Sequence, residues 1–394
     1  MQKLESLTRI QLTNICGLTS VIKAFDQFPS TLESLSVDGC EDLATLLPSD
    51  DTAQNLVNLR EVYVKSCPRL SSLQEIDVLP GLRSLTITKC GALELLPNKI
   101  SFLENLSIGN CPSLKTVMKL QDCSTSLNFL SINRWVNLNL TNLLGSGHDY
   151  TSLTSIFLWR CDGLESFPHG GLPTPNLRHL DMDGCRHLKS LPDQMDLLSA
   201  LLFLSVFSCD SLITLFPQGD IPPNLTYLDV VSCASLMELF PKQNIPPNLS
   251  YLNISDCQKL RPLGEWGLHT LTSLNSFKFS GFPELVSLTN NVDEEHCVLP
   301  PSLTSLSLRW LPNLETLSNG FQSLTSLQHM YIEDCPKLVA LPLEGQLQKL
   351  LSLSIDGCPR LKKRCLKNKG DHWPIIADIP DVRIDCRSIY DPCP

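Results

Sequence analysis

The sequence has few aromatic residues and no long apolar run. Phe, Trp and Tyr make up 6% of the 394 residues, so aliphatic side chains must supply most of any core. The first residues, MQKLESLTRI, contain no apolar signal-peptide core. No segment approaches the roughly 20 consecutive apolar residues that a transmembrane helix needs. These absences argue against secretion and against a membrane span.

Motifs for catalysis and for metal binding are also missing. The sequence contains no G-x-x-x-x-G-K-[ST] phosphate-binding loop, no H-E-x-x-H, no C-x-x-C and no nucleophile elbow. One insertion resembles half a metal site, and we interpret it as a solvated acidic loop. Its candidate ligands are Asp293, Glu294, Glu295, His296 and Cys297. We therefore expect no enzymatic activity, no metal and no cofactor.

The charge balance is acidic, with 41 Asp and Glu against 31 Lys and Arg, a formal net charge of -10. Nucleic acids and anionic membranes reward clustered cations, so neither is expected to be the main partner. One basic run departs from this balance and comprises Arg360, Lys362, Lys363, Arg364, Lys367 and Lys369. We interpret it as a solvated rim of a terminal cap; contact with an anion or an acidic domain is the alternative.

The dominant feature of the sequence is a repeat, L-x-x-L-x-L-x-x-C-x-x-L-x-x-L, exemplified by "LRHLDMDGCRHLKSL" from Leu177. Fifteen units begin at Leu7, Leu32, Leu59, Leu82, Leu103, Leu127, Leu153, Leu177, Leu201, Leu225, Leu249, Leu274, Leu303, Leu327 and Leu350. Successive starts lie 21 to 29 residues apart. Repeats of this length and pattern are typical of leucine-rich-repeat solenoids.

The spacing within the unit predicts its local structure. The x-L-x-L-x core alternates with period two, which predicts a short strand with leucines inward and polar residues outward. The cysteine follows the strand at a turn, where a small apolar side chain with a weak donor suits burial. Cysteines at this position are Cys40, Cys67, Cys90, Cys111, Cys161, Cys185, Cys209, Cys233, Cys257, Cys335 and Cys358. We expect these thiols to be reduced and buried. Four units have another residue at this position, which favours burial over chemistry as its role: Ile15, Trp135, Phe282 and Leu311.

Behind the strand, the return segment often ends in Leu-Pro or Phe-Pro, as at Pro168 and Pro192. Proline lacks a backbone donor and disfavours helix at the preceding residue. The predicted fold is therefore an α/β solenoid of about 15 repeats, a leucine-rich-repeat horseshoe. Its parallel sheet would line the concave face, with an irregular or 3₁₀ convex side. We assign residues 1–361 to the repeats and 362–394 to a C-terminal cap and tail.

The end of the chain carries a family resemblance. The stretch "CPRLKKRCLKNKGDHWPIIADIPDVRID", Cys358 to Asp385, and the linkers "LPTPNL" and "IPPNL" resemble plant disease-resistance proteins. The resemblance is to the leucine-rich-repeat region of intracellular nucleotide-binding immune receptors, in their coiled-coil class. It implies cytoplasmic location, with the nucleus as a second site, and recognition of a pathogen effector or a guarded host protein. It also implies restraint of a nucleotide switch, whose phosphate-binding loop this sequence lacks.

Large side chains at outward-facing strand positions are the candidate contacts for a protein partner. Contiguous exposed apolar area often marks an interface, and aromatics with Arg are frequent at binding hot spots. The middle units contribute Phe157, Trp159, Arg160, His179, Asp181, Asp183, Phe203, Phe207, Tyr227, Asp229, Tyr251 and Asp256. A second cluster comprises Arg309, Trp310, Tyr331, Glu333 and Asp334. Bulky neighbours that merely stabilise the sheet are the alternative for both, and for the second cluster neither interpretation is preferred.

Four functional classes remain in order of preference. An immune-receptor interaction module comes first, with a protein partner or a nucleotide-binding domain, in cis or in trans, as its ligand. A stand-alone adaptor or inhibitor, with a ubiquitin-ligase subunit as a variant, comes second; a receptor ectodomain is third and an enzyme last. Only six residues precede Leu7, so the first coil is uncapped in this sequence. We expect it to continue in a longer product or to dock against a partner.

Overall fold

The structure is a computed structural model of the chain. It describes residues 6–21, 29–47, 56–97, 100–115, 120–144, 147–216, 218–240, 244–288, 299–317, 321, 324–342 and 347–389. The acidic insertion with Asp293 and His296 lies outside the described residues. The chain forms two compact units, Met1–Leu201 and Leu202–Pro394.

The first unit contains a parallel ladder of five-residue strands. These are β1 Arg9–Thr13, β2 Ser34–Asp38, β3 Glu61–Lys65, β4 Ser84–Thr88, β5 Asn105–Gly109, β6 Phe129–Asn133, β7 Ser155–Trp159 and β8 His179–Asp183. Each strand pairs in parallel with the next along the chain, in matching register.

The second unit repeats this arrangement. Its repeat strands are β9 Phe203–Phe207, β10 Tyr227–Val231, β11 Tyr251–Ser255, β12 Ser276–Ser280, β13 Ser305–Arg309, β14 His329–Glu333 and β15 Ser352–Asp356. They also pair in parallel and in sequence order. Each of these fifteen repeat strands begins two residues after the starting leucine of a predicted repeat, so the repeat pattern located them.

Burial alternates along most repeat strands as the period-two pattern predicts. In β6, β10 and β13 the central outward-facing residue is buried as well, and in β5, β11 and β12 the last residue is. In β2, Leu35 and Val37 are fully buried while Ser34 and Ser36 are partly exposed. The starting leucines from Leu32 onward are buried as well, and Leu177 and Leu225, for example, have no exposed surface; Leu7 is partly exposed. Aliphatic side chains therefore fill the core between the sheet and the return segments.

The turn that ends each repeat strand is left-handed. The residue seven positions after the starting leucine has a φ between +49° and +72° in each of the fifteen described units. These residues are Asn14, Gly39, Ser66, Lys89, Asn110, Arg134, Arg160, Gly184, Ser208, Ser232, Asp256, Gly281, Trp310, Asp334 and Gly357. The repeat pattern predicts only that this position faces outward, although its Gly, Asn, Asp and Ser content is a usable indication of positive φ.

The cysteine after this turn is buried, as expected. The Cys233 thiol donates to the carbonyl oxygens of Val231, 3.5 Å away, and of Val206 in the previous coil, 3.6 Å away. Two replacements depart from the expected burial: Ile15 is 36% exposed and Phe282 is only half-buried. Phe282 instead stacks on Phe279 at 4.2 Å between ring centroids. The thiol therefore fits the turn because it can reach backbone acceptors that a hydrocarbon cannot use.

The return side is irregular, as the Leu-Pro pattern predicts. It contains isolated parallel bridges, such as Thr214 with Glu238, and short helical turns. Described 3₁₀ turns span Gln74–Val78, Leu120–Cys123, Met195–Leu197, Leu263–Trp266 and Leu268–Thr270, and one short helix, α1, spans Leu140–Leu144.

The C-terminal end covers the last repeat with more regular structure than we expected. Helices α2, Pro359–Arg364, and α3, Trp373–Ile376, precede strand β16, Asp381–Ile384. β16 pairs in parallel with β15, and β17, Arg387–Ser388, pairs with β16 in antiparallel fashion. Ile376, Ile379 and Val382 are buried in this segment.

Candidate partner-binding surface

The outward-facing aromatic residues of the first unit form a supported cluster. The Phe157 ring lies 5.3 Å from that of Phe129 and 5.8 Å from that of Trp159. The Trp159 indole N–H donates to an Asp181 carboxylate oxygen on the next strand, 2.7 Å away. Trp159 remains 38% exposed. Sequence reasoning missed Phe129, although its outward position in the preceding repeat marks it.

Charged candidates surround this cluster. Arg160 is exposed in the left-handed turn after Trp159. His179, Asp181 and Asp183 are partly exposed on β8. Burial lowers the pKa of His179, while the nearby Asp181 carboxylate raises it by a smaller amount. The surface therefore combines exposed aromatic area with both signs of charge.

In the second unit, a ladder of aromatic rings crosses the sheet. The Phe203 and Tyr227 centroids are 5.6 Å apart, and Tyr227 stacks on Tyr251 at 4.2 Å with parallel planes. The Lys278 ammonium group lies 5.3 Å from the Tyr251 centroid, a cation–π contact. Lys278 was not among the predicted contacts, because a single lysine on a strand carries no distinguishing sequence pattern. Phe207, which was predicted, lies half-buried on β9.

Asp229 is buried rather than exposed, with 8% of its surface accessible. Its carboxylate accepts hydrogen bonds from the Tyr227 hydroxyl at 3.2 Å and the Asn253 amide at 2.8 Å. Ser255 donates to Asn253, and Ser280 donates to Ser255 at 2.6 Å, which extends the network across β10 to β12. Burial raises the pKa of Asp229 against the opposing effect of these bonds. Its role is to fix the surrounding side chains rather than to present a charge.

The second predicted cluster lies on β13 and β14. Arg309 pairs with Glu333 at 3.3 Å and donates through Nε to the Ser307 hydroxyl. The Trp310 indole N–H donates to Asp334 at 3.0 Å. Trp310 is 51% exposed and Tyr331 37% exposed. All members predicted from the sequence are thus brought together.

Several buried cysteine thiols are poor candidates for chemistry. Burial raises the pKa of Cys67 to about 11 and those of Cys123 and Cys365 to about 12. A thiol with so high a pKa is protonated at neutral pH and is a weak nucleophile and metal ligand.

Other candidate features were also located. No group of three or more His, Cys, Asp or Glu side chains suited to a metal occurs among the described residues. None of the described helices is long and apolar enough to cross a membrane. A polar groove of about 550 Å³ lies in the first unit against Arg60, Arg83 and Glu104. Arg83 pairs with Glu104 at 3.4 Å there, so the groove holds mixed charge.

Comparison with known proteins identifies relatives. No protein-family model matches the chain. The chain is 29% identical over 372 residues to an Arabidopsis thaliana protein named for disease resistance, covering 91% of this chain and 23% of the relative. It is 30% identical over 199 residues to the Arabidopsis thaliana disease resistance protein RPS4B, covering 48% of this chain and 16% of the relative. The chain therefore spans about a quarter or less of the length of these relatives.

A solved structure matches the fold along nearly the whole chain. It is a leucine-rich-repeat protein of Leptospira interrogans, with a TM-score of 0.55 and 19% identity, covering 98% of this chain and 97% of that one. At this identity the match concerns the fold alone. The chain is a leucine-rich-repeat solenoid, and across 91% of its length its homologues are plant disease resistance proteins.

Proposed function

We propose that this chain is a non-catalytic interaction module of a plant intracellular immune receptor, which recognises a pathogen effector or a guarded host protein. The observation that carries the proposal is the aromatic surface on the strands, where Trp159 stays 38% exposed although Phe157 and Asp181 hold it in place. Exposed aromatic side chains held rigidly lose little entropy on binding, which favours their use as hot spots.

The relatives support the immune role. They are named for disease resistance, and the chain matches one of them along 91% of its own length. In such receptors the repeats also restrain a nucleotide switch. These 394 residues contain no phosphate-binding loop, so the switch would be contributed by a nucleotide-binding domain in cis or in trans. The proposed location is the cytoplasm, with the nucleus as a second site.

The test replaces one outward-facing aromatic residue in each unit and measures the affinity for a candidate effector or guarded protein. The variant carries Trp159→Ala and Phe207→Ala. We expect its Kd in biolayer interferometry to rise at least about tenfold, since loss of hot-spot residues costs more than about 1 kcal/mol each.

A matched control carries Leu197→Ala and Met237→Ala, which remove exposed apolar side chains from the return segments. These side chains are 64% and 50% exposed. The control variant should bind as the wild type does. Equal affinity of the strand variant and the control, with both folded by circular dichroism, would rule out this surface as the binding site.

A further inference from the structure

Two exposed rings near the end of the second unit have no aromatic neighbour. Trp310 and Tyr331 make no ring contact with any described residue, in contrast to the stacked Tyr227 and Tyr251. In the strand register, Tyr331 is flanked by Ser307 on β13 and Ser354 on β15. Ser307 is only 3% exposed and accepts a hydrogen bond from Arg309 Nε, so the β13 side of the Tyr331 ring is occupied. On the β15 side the register neighbour is Ser354, whose side chain is short.

Trp310 occupies an unfavourable backbone position. Its φ is +51°, and four of the fifteen equivalent turns use glycine, at Gly39, Gly184, Gly281 and Gly357. A left-handed conformation costs a residue with a Cβ atom about 1 kcal/mol. With 51% of its surface exposed, Trp310 recovers little of this cost through core packing. Among the fifteen turns it is the one aromatic residue.

Two carboxylates beside these rings have no cationic partner among the described residues. Asp334 accepts the Trp310 indole N–H at 3.0 Å, and Asp356 accepts the Ser354 hydroxyl at 2.8 Å and the Cys386 amide at 2.7 Å. The neighbouring carboxylates differ in this respect. Glu333 pairs with Arg309, Asp381 pairs with Arg383, and Asp385 pairs with Lys362.

The backbone makes these two residues neighbours. The Asp334 amide donates to the Asp356 carbonyl oxygen at 2.9 Å, so the turn after β14 lies beside the end of β15. Tyr331 lies two residues before Glu333 on the same strand face, about 7 Å along the strand. Four residues therefore combine exposed rings with carboxylates that have no ion pair among the described residues, and they are called the arginine cluster below: Trp310, Tyr331, Asp334 and Asp356.

We propose that the arginine cluster binds an arginine side chain of the protein partner. This inference rests on the proposed function, since it names the partner chemistry at one part of the strand face. A guanidinium group is flat and weakly hydrated, stacks on aromatic rings and pairs with carboxylates through directed N–H donors. The cation–π contact of Lys278 with Tyr251 in the same unit is the intramolecular counterpart of this interaction.

The experiment titrates the full chain with short peptides and follows the indole N–H signals by ¹⁵N NMR. The probes are acetyl-Gly-Arg-Gly-Arg-amide, its citrulline analogue, which has a similar shape without the charge, and acetyl-Gly-Glu-Gly-Glu-amide. The arginine peptide should shift the Trp310 signal saturably, and its affinity should fall as the salt concentration rises. The Trp159 signal should stay unchanged, and the citrulline and glutamate peptides should have no saturable effect.

Variants of the cluster locate the binding. Trp310→Ser, Tyr331→Ser and Asp334→Asn should each weaken arginine-peptide binding by about two- to fivefold. Trp310→Ser removes the indole signal, so binding to this variant is followed through the amide signal of Gly357, which lies against Asp334. Asp334→Asn keeps an oxygen that can accept the indole N–H, so it removes charge with little change in geometry. Asp181→Asn, the equivalent change beside Trp159, should leave the affinity unaltered.

Three outcomes would overturn the inference: equal binding of the citrulline peptide, saturable binding of the glutamate peptide at Trp310, or no saturable binding of the arginine peptide. They leave the proposed function intact if the Trp159 and Phe207 variant still loses its partner. Conversely, arginine binding at Trp310 together with unchanged partner affinity in that variant would support arginine binding at this cluster and rule out the Trp159 and Phe207 surface as the partner-binding site.

Discussion

Two tryptophans on the strand face make the same hydrogen bond in different surroundings. Trp159 in the first unit donates to Asp181 at 2.7 Å, and Trp310 in the second donates to Asp334 at 3.0 Å. In each case the aspartate lies one repeat further along the chain. The bond fixes the orientation of the indole but leaves much of its surface exposed, 38% and 51% respectively.

The difference lies in what supports each ring. Trp159 ends a regular strand and rests on Phe157, which in turn contacts Phe129. Trp310 lies in a left-handed turn without a ring contact among the described residues. An aromatic residue on a sheet can therefore gain support from ring contacts, as Trp159 does, or carry a local cost that only binding offsets, as we infer for Trp310.

The largest expected loss of stability comes from truncating a core leucine close to each tryptophan. Leu158 and Leu308 are fully buried, and Leu158→Ala or Leu308→Ala should each lower the free energy of unfolding by about 2–5 kcal/mol. Because the inward faces of the two strands are alike, the two costs should be similar. Urea unfolding followed by circular dichroism measures them. A cost confined to one unit would show that the two regions differ in their cores.

Truncation of the tryptophans should separate the two regions. Trp159→Ala loses the ring contact with Phe157, so it should destabilise the protein by about 1–2 kcal/mol. Trp310→Ala should stay within about 0.5 kcal/mol of the wild type, because little packing is lost. The same urea transitions provide the measurement. Equal losses would mean that Trp310 is supported after all.

Glycine substitution sharpens the contrast further. Trp310→Gly should raise stability by about 0.5–1 kcal/mol, because glycine adopts the left-handed turn without a Cβ clash. Trp159→Gly should cost more than Trp159→Ala, since glycine weakens a strand. Thermal melting of the four variants would test both signs. A loss of stability in Trp310→Gly would refute the assignment of backbone strain.

A fall in pH should destabilise the second unit more than the first. His372 is 6% exposed and its two ring nitrogens have no hydrogen-bond partner among the described residues, and burial lowers its pKa. A lowered folded pKa gives stability that is present above the unfolded value of about 6.5 and is lost as pH falls through the folded value. His179 shifts in the same direction but is only half-buried.

The measurement is hydrogen exchange of each unit between pH 7 and pH 5, corrected for the intrinsic exchange rate. Protection around α3 and β16 should fall more than protection around β8. His372→Phe should abolish the loss near α3, because phenylalanine fills the site without a titrating group. Unchanged pH sensitivity in that variant would assign the loss to another group.

Much of the fold could be predicted from the sequence. The starting leucines and the cysteine locate each strand and its turn, because a period-two apolar pattern admits one inward face. The irregular return side follows from the recurrent Leu-Pro steps. The sheet-forming C-terminal end could not be predicted, because "DVRI" is too short to distinguish a strand from a loop until β15 offers it a partner.

The candidate surface was only partly predictable. Sequence position places Trp159 and Tyr227 on the outward face, since alternation leaves them nowhere else. Trp310 lies one residue beyond β13, and its exposure follows from the left-handed turn rather than from alternation. It cannot show that Asp229 is buried beneath a tyrosine stack, since burial there depends on residues about 24 positions away on the next strand.

The sequence by itself determined the solenoid, its strand positions and its inward-facing thiols, because these depend on a short pattern that each repeat carries independently. The tertiary structure decided which outward side chains support one another. Adjacent strands bring together residues from successive repeats, and only their side-chain geometry separates the supported Trp159 from the open Trp310. That distinction depends on contacts between repeats, which no single repeat encodes.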